Sequence, residues 1–180
     1  MLDQDYFRFG DKKILDLVLM GDMELWEALK KKEKLIEKGN LSPLEIESLS
    51  EVENLITRKG GYRAESHGAQ LLSGLGIDPK RHGDQLNTFS GGYKLRVLLG
   101  QVLFIQPETL ILDEPTAVLT PQETKELFIQ LKLLKENNHT IIIITHKLRE
   151  IKEICDRVTI MKAGRTLGTY LVSKISIEEI

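Results

Sequence analysis

The stretch Leu110-Ile111-Leu112-Asp113-Glu114-Pro115-Thr116 passes from an apolar run directly into two adjacent acids. An apolar run of this length predicts a buried strand over residues 109–113. In a parallel sheet the carboxyl ends of the strands open onto the ligand crevice, so Asp113 is expected where a metal-bound phosphate would lie. Glu114 would stand beside it, free to polarise a water molecule. A strand followed by an acidic turn is the alternative for the acid pair alone.

Short apolar strands and helices alternate around this stretch. The pattern predicts three helices and three strands in alternation, at 91–105, 109–113, 121–136, 140–145, 147–155 and 157–161. An edge strand at 166–171 and a partial helix at 176–179 are expected to follow. Such alternation is typical of the α/β class with a mainly parallel sheet.

Two further motifs are expected to supply groups for a phosphate. Ser90-Gly91-Gly92 opens a helix, where free backbone N–H groups and the helix dipole favour an anion. Ile144-Thr145-His146 ends a strand at the same sheet edge as Asp113, which places His146 to hydrogen-bond a terminal phosphate and an attacking water. Taken singly, a Ser-Gly-Gly sequence more often only starts a helix, and a single histidine more often caps a helix or is partly buried.

The region before these motifs predicts a charged helical hairpin over residues 22–60. Its second helix begins with a serine cap, Ser42, a proline at the first helical position and Glu45 three residues after the cap. The hairpin holds nine acids and seven bases, so a solvated pair of helices is as good an interpretation as a binding surface. A local phosphate-facing surface would use Lys30, Lys31, Lys32 and Lys34.

Composition gives no reason to expect a membrane or a secreted protein. The 180 residues are 41% hydrophobic and carry a net charge of −2, and no apolar run reaches the roughly 18 to 20 residues that span a bilayer. The amino terminus lacks the basic and apolar regions of a signal peptide. The single cysteine, Cys155, excludes an internal disulfide. We therefore expect no transmembrane segment in this sequence and a cytoplasmic location.

In their order along the chain, the motifs resemble those of the ATP-binding cassette (ABC) superfamily of ATPases. Leu86-Asn87-Thr88-Phe89-Ser90-Gly91-Gly92 resembles the cassette signature, and Leu110 to Glu114 resembles the Walker B strand with its catalytic glutamate. Pro115 to Thr120 is similar to the D-loop and His146 to the switch histidine. Gln4 falls where the Q-loop glutamine of the family would fall.

The resemblance implies ATP and Mg²⁺ as ligands and a role for each matching residue. Asp113 would hold Mg²⁺ through water, and Glu114 would orient or deprotonate the attacking water. Gln4 would sense metal and water, and His146 would contact the γ-phosphate. In this family ATP lies between two cassettes, so Ser90, Gly91 and Gly92 would complete the site of the opposing one.

The two parts of the chain resemble different branches of the superfamily. Residues 1–116 look most like the first cassette of the ABC-F proteins, soluble ATPases that act on ribosomes and carry an arm where residues 22–60 lie. Residues 117–180 look more like the ATPase subunits of sugar or nucleoside importers, which pair with a membrane permease. A third hypothesis is a truncated or chimeric remnant without catalytic activity.

A phosphate-cradling loop of the form G-x-x-x-x-G-K-[ST] is absent from this sequence, because none of its 14 glycines is followed by lysine. The expected fold is therefore a partial P-loop NTPase that needs a second cassette or a P-loop-bearing segment as partner. We expect four regions: a Q-loop entry segment (1–21), the arm-like hairpin (22–60), the signature helical region (61–108) and the Walker B and switch-histidine α/β region (109–180).

Overall fold

The computed structural model describes residues 9–179, and Gln4 lies outside these described residues. The chain divides into two compact units, one ending at Pro107 and the other beginning at Glu108. Among the described residues, no helix is both long enough and apolar enough to cross a membrane.

The first unit is helical. Its helices are α1 (Ile14–Leu19), α2 (Met23–Lys38), α3 (Pro43–Arg58), α4 (Ala64–Gly74) and α5 (Gly91–Leu103). Short 3₁₀ turns lie at Gly61–Arg63, Pro79–Arg81 and Leu86–Thr88. Helix α1 contributes Ile14, Leu17 and Val18, which are completely buried, to a core that α4 and α5 also enter.

Helices α2 and α3 form the predicted hairpin, and its base belongs to this core. Asp22 caps α2 by accepting a hydrogen bond from the Leu25 amide, 3.0 Å away, and Leu25 is buried with Ile56 of α3. Nearer the turn between the helices, Ile36 and Leu44 are exposed. The hairpin is thus anchored at its base.

Gly21, between α1 and α2, lies against the backbone of α5. A Cβ atom built on Gly21 would stand 2.1 Å from the carbonyl oxygen of Gln101, closer than any real Cβ contact. Because that oxygen belongs to the main chain, it cannot move aside as a flexible side chain would. The close approach of the two backbones requires glycine here.

We expect Gly21→Ala to lower the free energy of unfolding by about 1–3 kcal/mol, the usual effect of overpacking a core. The matched control is Gly74→Ala in α4, where an added Cβ meets nothing within 4 Å. That variant should be neutral or stabilising by up to about 1 kcal/mol, since alanine favours helix. Urea unfolding of both variants measures the difference, and equal stabilities would contradict the close-approach account.

Glu45 closes the tip of the hairpin. Its Oε1 accepts from Lys38 of α2, while its Oε2 accepts from the backbone N–H and the hydroxyl of Ser42, both at 2.9 Å. These hydrogen bonds lower the pKa of Glu45 from its ordinary value to about 2, and the one from Lys38 has a larger effect than either of the two from Ser42. The capping box predicted from the sequence is confirmed.

Because the pKa of Glu45 is lower in the folded chain, its stabilising effect is complete above the ordinary value and is lost as the pH falls from about 4.5 towards about 2. Glu45→Gln should therefore destabilise the chain at pH 6, and the difference from the parent chain should shrink as the pH falls from about 4.5 towards about 2. Unfolding midpoints over this range measure the effect. Glu47→Gln, an exposed neighbour on α3, is the control. A Glu45→Gln difference that does not depend on pH would contradict the assignment.

The second unit mixes strands and helices in the order that the sequence predicts. Its elements are β1 (Thr109–Asp113), α6 (Pro121–Glu136), β2 (Thr140–Ile144), α7 (Leu148–Ile154), β3 (Arg157–Lys162) and β4 (Arg165–Leu171). Strands β1 and β2 pair in parallel, in register from Thr109 opposite Thr140 to Asp113 opposite Ile144. The α/β class with a parallel sheet is confirmed.

Strand β3 departs from the expected parallel arrangement. It pairs antiparallel with β4 in a separate two-stranded sheet. The reason is the two-residue turn Ala163-Gly164, whose residues both have positive φ, 49° and 74°, as a tight hairpin turn requires. The partial helix expected at 176–179 is a turn, and a 3₁₀ turn forms earlier, at Val172–Lys174.

Candidate active site

The ends of β1 and β2 place three of the predicted residues at one sheet edge. Asp113 is the last residue of β1 and pairs with Ile144, the last residue of β2. The Glu114 amide continues the pairing by donating to the Ile144 carbonyl at 2.8 Å. His146 follows two residues after Ile144, so the register brings it beside Glu114.

Glu114 and His146 are in direct contact. The imidazole Nδ1 of His146 lies 2.7 Å from the Glu114 Oε1; the His146 side chain is 79% exposed and the Glu114 side chain 28%. A neutral imidazole in this contact carries its proton on Nδ1 and leaves Nε2 as an acceptor, whereas a protonated one donates from both nitrogens. The carboxylate therefore orients the ring and keeps its far nitrogen available.

Glu114 is held in an unusual conformation. Its φ is +44°, in the left-handed region that residues other than glycine rarely adopt, which costs about 1–3 kcal/mol. Its second carboxylate oxygen, Oε2, is buried and has no hydrogen-bond partner among the residues described here. An acceptor left in this state is suited to receive a hydrogen bond from a water molecule or a ligand.

The carboxylates at this edge fit a magnesium ion that arrives with a nucleotide. Asp113 is exposed at the strand end, next to Glu114. Within residues 9–179, no group of three or more His, Cys, Asp or Glu side chains could hold a metal ion. Mg²⁺ commonly binds through one or two carboxylates together with substrate phosphates and water, so this donor set suits such an ion.

The signature residues lie in the first unit. Ser90 is the N-cap residue of α5, and its carbonyl accepts from the Lys94 amide at 2.9 Å. Ser90 and Gly91 are exposed, whereas Gly92 is buried. The predicted helix start is therefore in place, with its N-cap residue and its first helical residue open to solvent.

Sequence reasoning missed a polar cluster beside the Glu114 and His146 contact. Thr116 is fully buried, and its hydroxyl donates to the Glu150 Oε2 at 2.7 Å. The Lys147 ammonium contacts both residues. Lys147 and Glu150 are three residues apart at the start of a helix, a spacing that predicts an ion pair between them. The sequence pattern does not indicate that Thr116 is their partner.

Comparisons with known proteins agree with this fold. A family profile described as ABC transporter matches residues 16–117. The probable ATP-binding protein YbiT of Escherichia coli O157:H7 is 33% identical over 163 residues, 91% of this chain and 30% of that protein. The ribose import ATP-binding protein RbsA of Bacillus subtilis is 34% identical over 126 residues, 70% of this chain and 24% of that protein.

Solved structures show the same architecture. A nucleotide-free ATP-binding cassette from an ABC transporter matches 92% of this chain and 57% of its own length with a TM-score of 0.66 at 19% identity. The fold is that of an ATP-binding cassette, within the P-loop NTPase class. The chain belongs to the ABC transporter family of ATP-binding proteins, and it spans less than a third of the two curated relatives named above.

Proposed function

We propose that this chain supplies the Walker B, switch and signature parts of an ATPase subunit that powers an ABC importer. The observation that carries the proposal is the 2.7 Å contact between Glu114 and His146 beside Asp113. The sequence contains no glycine followed by lysine, so the phosphate-cradling loop would come from another segment or from a second cassette.

In this proposal the residues at the sheet edge divide the work of ATP hydrolysis. Glu114 orients the attacking water through its unpartnered Oε2 and accepts its proton. His146, oriented by Glu114, presents its far ring nitrogen to the terminal phosphate. Asp113 would hold Mg²⁺, which neutralises phosphate charge when it is bound. Only the family resemblance supports the roles of Gln4, Ser90, Gly91 and Gly92.

The names of the relatives support an import role over a ribosomal one. RbsA is described as a ribose import protein, in agreement with the importer-like sequence of residues 117–180. A permease in the membrane and a second cassette at the cytoplasmic face are then the proposed partners. The substrate class follows the same resemblance: a sugar or a nucleoside.

The charges of the hairpin give little support to a ribosomal arm. Lys30 pairs with Glu33 at 2.9 Å and lies over the Trp26 ring, and Lys32 pairs with Glu53 at 3.0 Å. The hydrogen bond that Lys32 donates to the Glu53 carboxylate raises the pKa of Lys32. These two cations are thus partly neutralised within the hairpin, which weakens their use for RNA phosphates.

We expect the purified chain to remain at the top of a sucrose gradient when it is mixed with ribosomes at about 100 mM salt, because its hairpin presents few unpaired cations. Sedimentation of the chain is measured with and without ribosomes. A variant carrying Glu33→Gln and Glu53→Gln, which frees Lys30 and Lys32, is the informative control. Stoichiometric co-sedimentation of the parent chain would favour the ABC-F hypothesis over the import function.

Hydrolysis is tested with a fusion protein in which the amino-terminal, P-loop-bearing segment of a related import ATPase precedes the 180-residue chain. We call this fusion protein the joined cassette. The joined cassette should hydrolyse Mg-ATP, whereas the 180-residue chain alone should not. Glu114→Gln should reduce kcat by about 10²- to 10⁴-fold, the usual contribution of a positioned general base.

The matched control for this experiment is Glu108→Gln, which neutralises an exposed acid at the opposite end of β1. It should leave kcat within about twofold of the joined cassette, because nothing places Glu108 near the reacting groups. Absence of turnover in a folded joined cassette would favour the hypothesis of a non-catalytic remnant. Equal losses from Glu108→Gln and Glu114→Gln would contradict the proposed role of Glu114.

A further inference from the structure

A cluster of three side chains joins the segment after Glu114 to the segment after His146. The Lys147 ammonium donates to the Thr116 carbonyl oxygen at 2.9 Å and to the Thr116 hydroxyl at 3.0 Å. The hydroxyl donates in turn to Glu150 at 2.7 Å. Glu150 also lies 3.3 Å from the Lys147 ammonium.

The hydrogen-bonding capacity of the cluster is nearly filled. An ammonium has three donors, and Lys147 directs them to the carbonyl and hydroxyl of Thr116 and to Glu150. The single hydroxyl proton of Thr116 goes to Glu150 while its oxygen accepts from Lys147. Thr116 is fully buried, so breaking the cluster would leave polar groups without water to replace the lost partners.

The contact between Glu114 and His146 needs support of this kind. His146 is 79% exposed, and an exposed pair held by one hydrogen bond contributes little stability by itself. The left-handed backbone of Glu114 opposes the arrangement further, since such conformations persist only where their surroundings fix them. Thr116 lies two residues after Glu114, and Lys147 directly follows His146.

We propose that Lys147 is a positioning residue for ATP hydrolysis, which through Thr116 and Glu150 holds the backbone of Glu114 and the His146 loop together. This inference rests on the proposed function. Lys147 touches neither Glu114 nor His146 through its ammonium, so its effect is on the geometry of the pair. Its loss should leave nucleotide affinity largely intact and reduce the rate of the chemical step.

The test in the joined cassette is Lys147→Met, which keeps an unbranched side chain about as long as the lysine stem and removes the ammonium donors. It should lower kcat by about 10- to 100-fold and change the KM for ATP by less than about threefold. Thr116→Val should do the same, whereas Thr116→Ser, which retains the hydroxyl, should keep most of the kcat. The double variant Lys147→Met with Thr116→Val should lose little more than either single variant.

Lys152→Met is the matched control. Lys147 is the N-cap residue of α7, and Lys152 is a partly buried lysine within that helix that donates to the carbonyl oxygens of Val172 and Ile175, away from the sheet edge. Loss of the Lys152 ammonium should lower the stability of the protein, but it should not lower kcat selectively at an unchanged KM. A kcat that is unchanged in Lys147→Met, or that falls equally in Lys152→Met, would overturn the inference.

Amide hydrogen exchange in the 180-residue chain tests the inference separately from ATP hydrolysis. The Glu114 amide donates to Ile144, and the Ala117 amide donates to the Glu114 carbonyl at 3.0 Å. Lys147→Met should speed the exchange of both amides about tenfold or more, because they close the same segment. If the joined cassette shows no turnover, the proposed function is wrong. If amide exchange at Glu114 and Ala117 is unchanged in Lys147→Met, the inference about Lys147 is wrong.

Discussion

The parallel pairing of β1 with β2 is the constraint on which the rest of the site depends. Leu110 and Leu112 are buried on one face of β1, and this fixes which residues of the strand face the other way. A slip of one residue would exchange the two faces and shift Asp113 relative to Ile144. Burial of two leucines thus determines where Glu114 and His146 meet.

The second unit brings its candidate catalytic groups together at one sheet edge. Glu114 is held by two contacts, the backbone bond to Ile144 and the side-chain contact with His146, and the cluster of Thr116, Lys147 and Glu150 begins two residues further along the chain. Such redundancy offsets the cost of the left-handed backbone at Glu114. In the proposed hydrolysis, groups held in this way would require little reorganisation, which is how preorganised polar groups accelerate chemistry.

Much of this fold was predictable from local sequence signals, and the failures have physical causes. Helix α6 begins as predicted, because Thr120 and Glu123 form a capping box that acts within one turn. The position of strand β3 was predicted correctly, but its parallel pairing was wrong, because the turn after Lys162 pairs it with β4, a choice that apolar periodicity does not encode. The Thr116, Lys147 and Glu150 cluster joins residues 31 to 34 positions apart, a separation that only the tertiary fold brings into contact.

An NMR measurement on the 180-residue chain tests whether the β1–β2 register brings Glu114 to His146. A scalar coupling between the Glu114 amide nitrogen and the Ile144 carbonyl carbon is observed only when the amide donates a hydrogen bond to that carbonyl. We predict a detectable coupling, together with a His146 ring Nδ1 resonance that shifts in Glu114→Gln and not in Glu108→Gln. Absence of the coupling, with Glu114 exchanging as fast as an exposed loop amide, would contradict the account.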